Sequence, residues 1–467
     1  MNKIILVWAW WTGMSWVAGI LNDLWYTNIV CIDANQSELT DKLKAKWLKV
    51  IIGHGKYKIQ LGDVVLYSEA VAECEEVIEA RKIMKTNKKV MIILNYFQFL
   101  GEVSKYFTSI GFAGTNGKSS STALAIHTAK KLVPNFGLGI LWALVPGFTT
   151  QSYVINSKAK KDIRNIFDYI FTWRGFDYIN IKKRSFFVEA CEYKRHFLYL
   201  DLDYAIITSL ELDHTDYYKD MKDYLSAYEI LITKVRHKVL ILKWLEKYFS
   251  PSHFSTFKSK IKEISIKTIP FKYIRGKHND INGSLILELI SRLSKEPKTK
   301  ILSTMKTFWG LRRRMEYLST NTNGAKIFTD YGHMASSIDF GYMALRNKFP
   351  RKKLCVIFQP HQINRIFTGR KDFVKTLKKY DNILIYDIYA ARENMKDFVR
   401  HHTFLDDMNI KTLDDLGTTF AGACEGIYTK DFTVITKAIQ QTQKDSIIVI
   451  YSAGDIDYKL RNLLGKK

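Results

Sequence analysis

The run Gly111-Phe-Ala-Gly-Thr-Asn-Gly-Lys-Ser-Ser-Ser121 holds the residue types that bind phosphate. Glycines between a strand and a helix let backbone N–H groups approach anionic oxygens, and the helix N-terminus adds positive potential. Lys118 is placed to neutralise β- and γ-phosphates, and Ser119 to offer a hydroxyl to Mg2+. The strict G-x-x-x-x-G-K-[ST] pattern is broken, because Phe112 stands where its first glycine belongs. The shorter core Gly114-Thr115-Asn116-Gly117-Lys118-Ser119-Ser120 is intact. Two acidic stretches follow: Glu189-Ala-Cys-Glu192 after the apolar run Phe186–Val188, and Glu211-Leu-Asp-His214-Thr-Asp216 after Ala205–Thr208. Carboxylates and an imidazole at strand C-terminal ends lie where α/β sheets bind ligands, and they suit Mg2+ beside a nucleotide.

Those groups need elements to hold them. Residues 1–106 alternate short apolar runs (Ile4–Val7, Ile29–Ile32, Val50–Ile52, Val64–Leu66, Val90–Ile93) with helix-length stretches, the pattern of a parallel, doubly wound sheet. Residues 107–298 open on a strand, Ser109–Gly114, and a helix, Ser120–Leu132, with further strands expected at Phe186–Val188, Tyr204–Thr208 and Val239–Leu242. The stretch Lys295–Thr304, with Pro297 and several lysines, reads as a linker. Residues 299–467 carry strands at Lys326–Thr329, Leu354–Phe358, Asn382–Ile385 and Ser446–Ile450. The expected fold class is α/β in three domains: a Rossmann-like N-terminal domain, a central P-loop-type ATPase domain and a Rossmann-like C-terminal domain.

Composition narrows the function classes. With 467 residues, 47% hydrophobic and 25% charged, wholesale disorder and fibrous character are excluded. The net charge of +25 arises from basic residues spread from Lys42 to Lys467 with no recognisable nucleic-acid module, so no nucleic-acid partner is expected. The five cysteines are far apart and never in C-x-x-C, which argues against a disulfide framework or a zinc site and fits a reducing cytoplasm. The apolar run from Ile4 to Trp11 is too short to span a bilayer, so no membrane insertion is expected.

In kind and order, Gly114–Ser120, Glu189-Ala-Cys-Glu-Tyr193, Leu212-Asp-His-Thr-Asp216 and Gly276-Lys-His-Asn-Asp-Ile-Asn282 resemble the Mur ligases. Further motifs are similar to the members that add L-alanine to UDP-N-acetylmuramate: Gly13-Met-Ser15, Gly53-His54, Phe308–Glu316, Asp330-Tyr-Gly-His333, Phe358–Arg365 and Asp387–Glu393. The resemblance runs through nearly the whole chain. It implies an ATP-dependent, Mg2+-using ligase whose first domain holds the UDP-sugar, whose central domain holds ATP and Mg2+, and whose third holds the amino acid. By the same resemblance Gly13, Met14, Ser15, Asp33, His54, Ser68, His361, Arg365 and Arg392 bind substrate. Around the ATP it places Gly114–Ser120, Asn279, Asn282, Arg314 and Asp330. Ser119, Glu189 and His214 are its metal ligands, and Lys118, His333, Glu189 and His214 its catalytic residues. Sites on three domains imply closure that keeps water from an acyl phosphate. A murein-peptide-recycling ligase, a D-glutamate-adding ligase and a non-catalytic relative remain alternatives.

Some residues depart from the family pattern. Asn116 replaces a histidine usual in alanine-adding members, and Gly332-His333-Met334 has one histidine where two are common. Glu229 falls where several relatives carry a carbamylated lysine, and it is expected either to take that place or to face solvent. The family's first loop, G-x-G-G-x-G-M-S-G, reads Trp8-Ala-Trp10-Trp11-Thr-Gly13-Met-Ser-Trp16 here, and Trp25 and Trp47 also stand at glycine-like turn positions. Three readings compete: a degenerate domain that no longer binds UDP, an altered pocket with aromatic stacking, or a codon rendered as tryptophan but read as glycine. The last would move a chain with 25 glycines and 10 tryptophans in 467 residues toward the ordinary glycine share of about 7%.

Overall fold

Five short aliphatic runs build the first sheet: β1 (Ile4–Trp8), β2 (Ile29–Asp33), β3 (Lys49–Ile52), β4 (Val64–Tyr67) and β5 (Ile92–Asn95). All pair in parallel, in the order β3-β2-β1-β4-β5. Every residue of β1, β2 and β4 is buried, as near-continuous apolar strands of parallel sheets are. The second sheet contains β6 (Thr108–Ala113), β7 (Phe136–Ile140), β8 (Tyr153–Ile155), β9 (Ser185–Glu189), β10 (Tyr204–Ile207), β11 (Lys238–Leu242) and β12 (Ile261–Ile264). Its order is β12-β11-β10-β6-β9-β7-β8, parallel except for β7 with β8. The helices around these two sheets include α1 (Thr12–Asp23), α2 (Glu38–Lys44), α3 (Glu75–Thr86), α4 (Tyr96–Ser104), α5 (Lys118–Leu132), α6 (Lys160–Thr172) and α7 (Met221–Lys234).

A third sheet runs β13-β14-β18-β15-β16-β17, from β13 (Glu316–Thr320), β14 (Lys326–Asp330), β15 (Lys353–Gln359), β16 (Asn382–Tyr386), β17 (Ile427–Thr429) and β18 (Ser446–Ser452). Only the β13–β14 pair is antiparallel. This computed structural model describes the chain except residues 1–2, 9–11, 87–90, 144, 146–151, 173–182, 250, 273, 275, 392, 402–409 and 466–467. The chain divides into two units: Met1–Phe271 with Ile281–Phe308, holding the first two sheets, and Lys272–Asp280 with Trp309–Lys467, holding the third. The α/β class read from the sequence is the class observed. One expectation is corrected: Lys295–Thr304 is mostly not a linker, because Lys298–Met305 is helical with Ile301 and Met305 buried. Pro297 acts there as the residue before a helix rather than as a spacer. Among the described residues no helix is long and apolar enough to cross a membrane.

The tryptophans divide by environment. Trp8, the last residue of β1, is fully buried, and its indole N–H has no hydrogen-bond partner among the described residues. Trp16 is buried on α1, its ring 6.4 Å from that of Trp142. Trp25 and Trp47 are 60% and 97% exposed, and both adopt φ of 64°, the left-handed region. Each follows a helix. Tyr26 N–H donates to Leu21 O at 3.0 Å and Leu48 N–H to Leu43 O at 3.3 Å, the closing bond of a Schellman motif. Glycine is the residue that such a position favours, because it has no Cβ to crowd the following carbonyl. Trp10 and Trp11 lie outside the described residues.

Candidate active site

The loop between β6 and α5 is shaped by two glycines, Gly114 at φ 122° and Gly117 at φ 91°. A Cβ on Gly114 would lie 2.8 Å from Ser209 N, and one on Gly117 2.8 Å from Asn282 Oδ1, so neither position has room for a side chain. Gly117 caps α5 without a side-chain hydrogen bond, and the helix has no acidic residue in its first turn. Gly117 thus offers no side chain to the leading N–H groups of α5, and groups of that kind at a helix N-terminus attract an anion. Side chains from β10 and beyond fix the loop. Ser209 Oγ accepts from Asn116 N at 2.7 Å, Thr208 Oγ1 donates to Asn116 O at 2.5 Å, and Asn116 Nδ2 donates to Glu211 Oε2 at 3.1 Å. Thr115 Oγ1 donates to Glu211 O at 2.6 Å and lies 2.8 Å from the Tyr224 hydroxyl. Ser120 is half-buried in the first turn of α5.

Lys118 Nζ donates to Gly114 O at 2.6 Å and to Glu192 Oε1 at 2.7 Å, so the lysine lies back over its own loop. Burial works against its charge, but the Glu192 and Glu189 carboxylates outweigh that and hold its pKa above the ordinary lysine value. Ser119 Oγ donates to Glu189 Oε1 at 2.7 Å, and Trp142 N donates to the other oxygen of that carboxylate at 2.9 Å. A hydroxyl and a buried carboxylate side by side are hard oxygen donors, and they fit Mg2+. His214 has φ of 55°, and its Nε2 is 3.9 Å from both Glu192 and Asp213. Those three groups can converge on one cation. Among the predicted metal ligands, Ser119 and Glu189 thus touch each other, while His214 stands with Glu192 and Asp213. Glu229, half-buried on α7, is not part of either group. Glu192 was visible in the acidic stretch but not picked out as a partner of Lys118, from which it is 74 residues distant in sequence.

Of the other residues predicted around the nucleotide, some lie in the first unit and some in the second. Asn282, in the first, is buried on the helix Lys277–Ser294 and faces Gly117. Asn279, in the second, has its amide nitrogen 2.9 Å from His278 Nε2. Asp330 closes β14 and accepts from Met315 N at 2.7 Å and Gly332 N at 2.6 Å. Burial raises its pKa above the usual carboxylate range, against the pull of Arg314. Burial, aided by Arg314, pushes His278 down to about 4. Arg314 also lies over the Tyr331 ring, 5.4 Å from its centroid. His333 and His361 have ring centroids 6.1 Å apart, and Arg365 Nη1 lies 3.0 Å from His361 Nδ1. The third sheet thus gathers Asp330, His333, His361 and Arg365 near the C-terminal ends of β14 and β15. Arg392 lies outside the described residues.

The predicted sugar-side residues lie at or after the C-terminal ends of strands of the first sheet. Gly13, Met14 and Ser15 occupy the first turn of α1 after β1, and Met14 is fully buried. Asp33 closes β2 and is 1% exposed, and Gly53 N donates to its carbonyl at 2.8 Å. His54 comes just after β3, with Nδ1 3.1 Å from Glu76 Oε2. Ser68 follows β4; its N–H donates to Val7 O at 2.9 Å, and its side chain caps a short helical turn. Strand order reverses between β1 and β4, and that switch point is where open parallel sheets bind ligands.

Residues 112–283 match the Mur ligase middle domain. Over 488 aligned positions the chain is 27% identical to a UDP-N-acetylmuramate–L-alanine ligase of Clostridium botulinum (strain Loch Maree / Type A3), covering 95% of this chain and 94% of that protein. Among solved structures it is similar to the UDP-N-acetylmuramate–alanine ligase of Thermotoga maritima, with TM-score 0.69, 19% identity and coverage of 100% and 99% of the two chains. A murein peptide ligase from Psychrobacter arcticus 273-4 superposes with TM-score 0.60 and 17% identity, covering 99% of this chain and 98% of that one. At such identities the solved structures establish the shared fold. Taken with the middle-domain match and the alignment to curated relatives along nearly its full length, they make the chain similar throughout to the Mur ligases, ATP-dependent enzymes that form amide bonds.

Proposed function

We propose that this protein joins L-alanine to UDP-N-acetylmuramate, converting ATP to ADP and phosphate, and that it works in the cytoplasm as a step of peptidoglycan synthesis. The observation that carries the reading is the β6–α5 loop, an uncapped helix N-terminus with Lys118 and Ser119 tethered to Glu192 and Glu189. The chemistry follows from charge. A carboxylate is a poor acyl donor because its leaving group would be oxide, so a carboxylate oxygen first attacks the γ-phosphorus and ADP departs. The neutral amine of alanine then attacks the acyl carbon, and the tetrahedral intermediate expels phosphate as nitrogen loses its proton.

Gly114–Ser120 would cradle the phosphates, with Lys118 stabilising charge on the transferring group, the usual largest contribution. Bound Mg2+, held through Ser119 and Glu189 with His214 nearby, would neutralise phosphoryl oxygens. In this assignment residues 1–106 take the UDP-sugar through Gly13, Met14, Ser15, Asp33, His54 and Ser68. Residues 107–298 take ATP, and residues 299–467 the amino acid. Asn279, Asn282, Arg314 and Asp330 act on the nucleotide side and His333 beside the reacting groups. His361, Arg365 and Arg392 receive the amino acid, whose carboxylate suits a guanidinium.

The test is phosphate release from ATP with each substrate omitted in turn. Release that requires both UDP-N-acetylmuramate and L-alanine supports the proposal. Release with a murein peptide in place of alanine assigns the recycling reaction instead, and release with D-glutamate assigns the next ligation. No release with any acceptor leaves a binding protein.

A further inference from the structure

A second group of metal-ligating side chains lies in the first sheet's domain, and of its three members His54 alone has a role in the reading above, on the sugar side. His54 sits in the loop after β3, between Gly53 at φ 93° and Gly55 at φ 75°. Cys74 immediately precedes α3, and its carbonyl accepts from Ile78 N at 3.0 Å, which makes it the N-cap residue. Glu76 is in the first turn of that helix, with a side chain that has no exposed surface. One ligand atom from each of the three lies within 4.8 Å of the others. Cysteine is an odd choice for an N-cap, where Ser, Asp or Asn would bond the free N–H groups better. His54 Nε2 is buried and has no hydrogen-bond partner among the described residues, although Nδ1 pairs with Glu76.

We propose that His54, Cys74 and Glu76 form a site for a borderline-soft divalent cation of the Zn2+ class, with one coordination position left for water. An imidazole nitrogen, a thiolate and a carboxylate are the donors such an ion prefers, at bonds of about 2.0–2.3 Å. The thiolate and carboxylate supply two negative charges, so the occupied site is neutral, and the fully buried carboxylate, which accepts from the Gly55 N–H and lies 3.1 Å from His54 Nδ1, gains a counter-charge. As the S–metal bond forms, the Cys74 proton leaves to solvent. Burial holds the free Cys74 thiol above its ordinary pKa, against the Val77 N–H, so it is the cation that draws the proton off. The ion would pin the His54 loop to the start of α3. The wide spacing of cysteines in the sequence concealed this, because two of the three ligands are not cysteine.

Full-length protein stripped by a chelator and titrated with Co2+ tests the site without any assay of ligation, so its outcome is independent of the proposed reaction. The expected result is a thiolate-to-cobalt charge-transfer band saturating at one equivalent and bleached by Zn2+. Cys74→Ser, which keeps a good N-cap and so the helix, should abolish the band and weaken Zn2+ binding about a hundredfold or more. No band in the parent protein, or an equal band and affinity in Cys74→Ser, overturns the proposal. The latter would assign the signal to another of the free cysteines, Cys31, Cys191, Cys355 or Cys424.

Discussion

Two strand–loop–helix units, β1 into α1 and β6 into α5, start from the same scaffold and diverge at the residues that approach a ligand. In the second, Gly114 and Gly117 take positive φ where no side chain fits, and α5 begins with its N–H groups uncapped. In the first, β1 ends on Trp8, a buried indole with an unmatched N–H, and the next helix starts at Thr12. A phosphate loop depends on backbone amides reaching the anion, so glycine there is a steric requirement and not a preference. The strand order around β1 is nevertheless that of an open parallel sheet, with Trp8 buried at its end. A sheet can therefore keep its architecture while the loop at its end keeps or loses its chemistry.

The contrast can be broken most sharply at Lys118. Lys118→Ala should lower kcat at least about 10²–10³-fold, as loss of one preorganised charge-stabilising donor does. A smaller loss in a steady-state phosphate-release assay would remove the central loop from the reaction. Next, restoring glycine at 8, 10, 11 and 16 together should raise UDP-sugar affinity about a hundredfold by calorimetry, roughly the gain from one or two backbone hydrogen bonds to a charged group. If Trp8→Gly instead costs about 3–5 kcal/mol with no gain in affinity, Trp8 is a true core residue and the first loop is an altered one. Peptide masses of the native protein decide the same point directly: tryptophan at 8, 10 and 11 would end the glycine reading.

Gly117→Ala should cost about 2 kcal/mol in folding, measured by denaturant unfolding, and raise KM for ATP, because φ is positive and Asn282 blocks the Cβ. The smallest effect is at the two helix ends. Trp47→Gly should stabilise by about 1 kcal/mol by removing a left-handed non-glycine residue that is almost wholly exposed. Trp25→Gly should gain less, since Lys160 lies 5.1 Å over its ring and that cation–π contact, about 0.5–1 kcal/mol at an exposed site, goes with it.

Long aliphatic strands such as β1, β2, β15 and β18 were legible, since a strand buried on both faces has no alternative to a continuous apolar run. The short strands β8, β12 and β17 were not, because three or four residues at or near a sheet edge carry too little pattern. Lysines and Pro297 made a helix look like a linker, since its two buried side chains, Ile301 and Met305, are only a narrow stripe. In the site, the glycine loop and the acidic stretches could be seen because their chemistry is local.

What the amino-acid sequence alone determined is the α/β class, the presence of a glycine–lysine–serine loop, and the order of the motifs along the chain. Each depends on residues near one another in sequence. Tertiary structure decided that Lys118 pairs with Glu192, that Ser119 meets Glu189 rather than His214, and that Asn282 faces Gly117. It also decided that Trp25 and Trp47 carry left-handed backbone. Those outcomes depend on strand order and on where loops close, which are set by packing between residues dozens of positions apart and leave no local periodicity to read.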